Sequence, residues 1–153
     1  MIMVGALLFA AGCGGGGAPG VVLTLSTTGT LPNNTLIGGN DLNIVLPPGV
    51  RVNMATNASP NSSAVNYTSD IVTVSGVAVN PKAMVIVTQT KANVLNVKII
   101  NPYGFGVGEF AKVTLAVDTQ VSSSDFNTTD FLPVDLNGVP IPGLTVNLTS
   151  AVQ

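Results

Sequence analysis

Seven carboxylates and no histidine set the chemistry open to this 153-residue chain. Without an imidazole, Ser-His and Cys-His nucleophile pairs cannot form. A glycosidase-type mechanism needs two acids facing one bond, and nothing in the spacing of the acids places two together. Asp118, Asp125 and Asp130 could converge on a cation, although their spacing fits no specific loop. Asp135-Leu-Asn-Gly138 begins like a calcium loop. Further oxygen ligands should then follow, with a bidentate acid at the twelfth place; Val139 stands at the fifth and Val146 at the twelfth. An Asx-stabilised turn between strands is the expectation. Gly104-Phe-Gly-Val-Gly-Glu-Phe110 has glycines in a phosphate-loop style, but such a loop must follow a strand and open a helix. Here strands flank it on both sides, so a tight turn or bulge is expected, with Phe105 and Phe110 in or beside the core. No catalytic residue, metal ligand or cofactor is expected, and the chain is read as a non-enzyme.

Cys13 is the only thiol, so no internal disulfide can form. It follows the apolar run from Ile2 to Ala11, stands directly after Ala10-Ala11-Gly12, and precedes four glycines, Gly14 to Gly17. Small residues before a cysteine at the end of an apolar segment look like a bacterial lipoprotein signal, with Ala10, Ala11, Gly12 and Cys13 as the lipobox. On that reading residues 1–12 are the signal peptide. Cys13 is the lipidated first residue of the mature chain, and residues 13–20 form a Gly-rich tether. No Lys or Arg precedes the run, a departure from the secretory pattern: either the true start lies upstream or the signal is not functional. The rival reading is a buried segment with an incidental cysteine. In lipoprotein families an Asp after the lipidated cysteine tends to hold the protein at the inner membrane. By that resemblance, Gly14 in this place favours the outer membrane over the inner one.

Charged residues are only 8% of the chain and the net charge is -2. No basic cluster exists to drive counterion release from a phosphate backbone, so nucleic-acid binding is not expected. Six Asn-x-Ser/Thr sequons, at Asn33, Asn57, Asn61, Asn66, Asn127 and Asn147, follow from a chain rich in Asn, Ser and Thr.

The elements that must position these residues are strands. Leu42, Ile44 and Leu46 fall on one face, as do Val50, Val52 and Met54, then Val113, Leu115 and Val117, and last Leu144, Val146 and Leu148. Such period-two alternation between Gly, Pro and Asn punctuation predicts antiparallel sheet with one face buried. Met84–Thr88 and Val94–Ile100 flank Gln89–Asn93, a predicted hairpin. Residues 56–68 read as a polar loop. One helical turn is expected within Ser122–Asp130, capped by Ser124 or Asp125. Eight or nine strands predict an all-β, antiparallel two-sheet sandwich in one domain, residues 21–153.

Three stretches carry a family resemblance: Leu42-Asn-Ile-Val-Leu-Pro-Pro-Gly-Val50, the run from Leu95 to Val117, and the proline-punctuated segment from Phe126 to Gln153. Their order resembles that of cohesin domains, the sandwich modules of cellulosomal scaffolds, and of small bacterial lipoproteins with cohesin-like domains. The resemblance implies an immunoglobulin-like jelly roll of about nine strands, with Val21–Ser26 pairing Thr145–Val152. It also implies a non-catalytic domain that binds proteins or sugars through a sheet face, although no position-specific motif for a dockerin contact is present. The function expected is a lipid-anchored protein-binding module of the cell envelope, held to the bilayer by acyl chains on Cys13, with its domain in the periplasm or on the cell surface. Its partner would be another envelope or extracellular protein. The rival is a carbohydrate-binding module, which a planar exposed row including Tyr67 or Tyr103 would favour.

Overall fold

The structure, a computed structural model, describes residues 19–52, 65–67 and 71–153. Ten strand segments build two antiparallel sheets, an all-β sandwich as expected: β1 (Gly20–Thr28), β2 (Ile37–Val45), β3 (Val50–Arg51), β4 (Val65–Tyr67), β5 (Val72–Val74), β6 (Met84–Lys91), β7 (Val94–Phe105), β8 (Gly108–Val117), β9 (Asn127–Asp135) and β10 (Thr145–Val152). The first sheet runs β10-β1-β8, with the short β3 and β5 both on the far side of β8. The second sheet runs β4-β6-β7-β2-β9. The chain changes sheet at every described connection but one, the predicted hairpin between β6 and β7.

Alternation explains the core. Val21, Leu23 and Leu25 of β1, Leu42 and Ile44 of β2, Leu95, Val97 and Ile99 of β7, and Val113, Leu115 and Val117 of β8 are buried in one cluster between the sheets. Phe105 and Phe110 are also buried, so the glycines of Gly104–Gly108 do form a turn that folds two aromatic rings inward. Gly104 needs its glycine: φ is +72°, and a Cβ there would lie 2.6 Å from the Leu36 Cβ.

Polar side chains inside the sandwich tie its parts together. Asn40 and Thr27 are both buried on inward faces of opposite sheets, and Asn40 Nδ2 donates to Thr27 Oγ1 at 3.4 Å. Asn101 of β7, 1% exposed, donates through Nδ2 to the Ala78 carbonyl at 3.0 Å and accepts the Tyr103 N–H at 3.0 Å. It thereby pins the 3-10 turn Gly76–Ala78 against the second sheet.

Expectations and structure part at three places. Within the stretch read as a polar loop, Val65–Tyr67 is a strand paired with β6. The helical turn shrinks to a 3-10 turn, Ser123–Asp125, and its cap is Ser122, whose N–H donates to Asp125 Oδ2 at 2.7 Å. From Asn127 onward the chain is strand β9, paired along β2. β9 lies at the edge of its sheet, and Asn-Thr-Thr-Asp carries no apolar alternation to reveal it. The pairing of β1 with β10 is present over its whole length, from Val21↔Val152 to Thr28↔Thr145. Met54, expected to continue the Val50 and Val52 alternation, lies outside the described residues.

Candidate functional site: the outer face of the second sheet

The expected anchor, Cys13 with Ala10, Ala11 and Gly12, lies outside the described residues. Among the described residues no helix is long and apolar enough to cross a membrane. The three acids that could have converged on a cation, Asp118, Asp125 and Asp130, each have a separate partner. Asp118 pairs with Arg51, Asp125 caps the 3-10 turn at Ser122, and Asp130 accepts from Asn43. No group of three His, Cys, Asp or Glu among the described residues could hold a metal ion. Asp135 makes the predicted Asx turn: its Oδ1 accepts the Asn137 N–H at 2.8 Å and the Val139 N–H at 2.9 Å. These bonds, Val139's foremost, hold its carboxyl below its ordinary value.

The two outer sheet faces differ in chemistry. On the first sheet, strand register aligns Thr149, Thr24, Lys112 and Thr73 in one row and Asn147, Ser26 and Glu109 in another. That face is rich in hydroxyls, with one Lys112–Glu109 ion pair at 3.6 Å and a small apolar patch where Val22 lies beside Ala151. On the second sheet, β6, β7, β2 and β9 stack three rows. The first row is Met84, Ile100, Gly39 and Val134. The second is Ile86, Lys98, Asp41 and Leu132. The third is Thr88, Asn96, Asn43 and Thr129. The face therefore grades from aliphatic to polar along the strands.

At the aliphatic end, Met84 is 55% exposed, Leu132 47%, Ile86 42% and Ile100 39%. Single exposed aliphatic side chains are ordinary, whereas these four are grouped on one solvent face. Gly39 sits among them without a side chain. The result is a shallow depression of about 180 Å³, walled by Ile100, Leu132, Val134 and the Lys98 stem. A Cβ on Gly39 would stand 2.9 Å from the Ile99 carbonyl oxygen, so the floor is closed to any other residue without movement.

At the polar end, side chains bond in series across three strands. Lys98 Nζ lies 2.7 Å from Asp41 Oδ2, and Asn96 Nδ2 donates to Asp41 Oδ1 at 2.8 Å. Asn96 also donates to Asn43 Oδ1 at 2.9 Å, and Asn43 Nδ2 donates to Asp130 Oδ2 at 2.7 Å. Asp130 has a φ of +54° and lies at the register shift of β9 against β2, between the partners of Asp41 and Asn43. Such a series fixes each amide and carboxylate in one orientation. It presents ordered acceptors and donors to solvent.

Comparison adds no assignment. No protein-family model, curated protein or solved structure matches this chain.

None of the aliphatic residues on this face was singled out by sequence, yet a signal was there. Met84-Val-Ile-Val and Ile99-Ile100 are apolar without alternation. In a sheet with one buried face, an unbroken apolar run must put half its side chains in water. Which neighbours those side chains would meet depends on the β7-β2-β9 register, which the run itself does not contain. Tyr103 is 57% exposed, with Lys82 Nζ 6.0 Å from its ring centroid.

Proposed function

We propose that this chain is a membrane-anchored, non-catalytic interaction module of the bacterial cell envelope. Acyl chains on Cys13 would hold it to the bilayer, favouring the outer membrane. A second envelope or extracellular protein would dock on the outer face of the second sheet. The observation that carries the docking reading is the contrast between two outer faces of one domain, hydroxyl-rich on one and aliphatic around Ile86, Ile100 and Leu132 on the other. Burying such side chains against a partner gains about 25 cal/mol per Å² of apolar surface. The amide–carboxylate series beside them supplies oriented polar contacts that discriminate among partners. The cohesin resemblance agrees with a sheet-face binder but names no partner.

The test places a photo-crosslinking residue at Ile86 or at Thr24 in the full chain expressed in a bacterial envelope. A discrete protein adduct from position 86, absent from position 24 and lost with Leu132→Asp, is expected. Equal adducts from both faces would sink the docking reading. Fatty-acid labelling that persists in Cys13→Ala would remove the anchor.

The carbohydrate reading draws on one observation, the exposed ring of Tyr103. It predicts glycan binding that is lost in Tyr103→Ala and kept in Leu132→Asp, the reverse of the pattern for a protein partner.

A further inference from the structure

The edges of the two sheets are unequally protected. β3 and β5 span two and three residues, and β4 spans three. β9 is longer, but Pro133 removes one donor and Asp130, at φ +54°, sits at a register shift in its pairing. Its outer edge is also occupied by the chain that follows. Val134 bridges to Pro140, Asp135 N–H donates to the Val139 carbonyl at 2.8 Å, and Ile141 N–H donates to the Pro133 carbonyl at 2.9 Å.

β10 has none of these protections. It runs eight residues, Thr-Val-Asn-Leu-Thr-Ser-Ala-Val, with no charge, proline or glycine. Its register with β1 shows no shift, so no bulge twists it away. No described strand pairs with its other side. Gln153 N–H donates to the Gly20 carbonyl at 2.9 Å. By the alternation of an antiparallel ladder, residues 145, 147, 149 and 151 then bond to β1, while Val146, Leu148, Ser150 and Val152 turn their backbone groups outward. A long, flat, uncharged edge of this kind is a template for strand addition.

We propose that this edge pairs with the same edge of a second copy, β10 against β10, about a two-fold axis at Leu148. The pairing keeps inward side chains opposite inward ones. Leu148 meets the second copy's Leu148, Val146 meets Ser150, and Asn147 meets Thr149. About six new backbone hydrogen bonds form. Two features favour a second copy over an unrelated strand. The edge carries no charge, so the two-fold opposes no like charges. Leu148, half-buried against the core, covers its own counterpart in the pair, and half-buried Val146 is covered by Ser150. An isologous contact of this kind closes at two subunits. The proposal uses a surface separate from the docking face of the second sheet, so either can fail alone.

The test is sedimentation of the purified full chain in detergent across the micromolar range, with expected dimers. Ser150→Pro deletes only an outward N–H, which leaves the ladder to β1 intact. It should weaken association at least about tenfold while preserving the sheet spectrum. A second pair of variants keeps the outcome decisive should that proline disturb the strand. Asn147 and Thr149 are exposed on the outer face. A chain with both changed to Lys, and another with both changed to Asp, should each be monomeric alone and pair when mixed. A monomeric parent chain, or dimers indifferent to both changes, would overturn the proposal.

Discussion

Lys98 and Asp41 stand directly opposite on β7 and β2 and meet at 2.7 Å, on the line where the aliphatic part of the outer face gives way to its amides. Asp41 serves both sides: one oxygen takes the lysine and the other takes Asn96. Both side chains remain partly in water, at 44% and 33% exposure, so the ion pair itself contributes only about 0–1 kcal/mol. A double-mutant cycle of Lys98→Met and Asp41→Ala should return a coupling within that range, falling with added salt. Urea titrations of the four proteins measure it. A coupling several times larger would mean that the pair is desolvated in solution.

Gly39 is required by the close approach of β7. Gly39→Ala should destabilise the domain by about 1–3 kcal/mol, because its Cβ must displace the Ile99 carbonyl or the strand that carries it. The same change should raise the floor of the depression and, on the proposed docking reading, weaken partner binding beyond the loss in stability. Denaturation and binding measured on one preparation separate the two effects.

Asn101 is buried with both ends of its amide engaged. Asn101→Leu preserves volume but leaves the Ala78 carbonyl and the Tyr103 N–H without their partner. A loss of about 2–4 kcal/mol is expected. Amide hydrogen exchange should quicken first in the Gly76–Ala78 turn, and an unchanged exchange pattern would show that the turn holds without it.

Asp135 gives a pH signature. Its carboxyl is held below the ordinary 3.8, chiefly by the Val139 N–H, with partial desolvation opposing and the Asn137 N–H assisting. The folded value lies below the unfolded one. Its stabilisation is therefore complete above the ordinary carboxylate range and is lost as pH falls through the folded value. Asp135→Ala should lower Tm at neutral pH, and its gap from the parent should close under strongly acidic conditions. Thermal melts across that window check the sign.

Much of the interior was legible because alternation maps directly onto burial. Leu42, Ile44 and Leu46, then Val113, Leu115 and Val117, all point inward as their spacing requires. The hairpin at β6 and β7 was legible because its strands are consecutive. β9 was hidden because an edge strand buries little, and its Thr-Thr-Asp run has no face to display. The aliphatic grouping on the second sheet's outer face was hidden for a different reason. Ile86 and Leu132 are 46 residues apart in sequence and share a row only through the successive pairings of β6, β7, β2 and β9. Long-range register of that kind also makes folding slow, since few contacts reward early local structure.

β1 lies between β8 and β10 and runs antiparallel to both. A pull on residue 20 along the strand, with the domain held by a partner on its far face, loads two ladders in shear. Their hydrogen bonds must then yield together. Within one copy, and among the described residues, a pull on Gln153 engages the single ladder that β10 makes with β1. The domain is thus mechanically polar, better built to bear force at the start of β1 than at the end of β10.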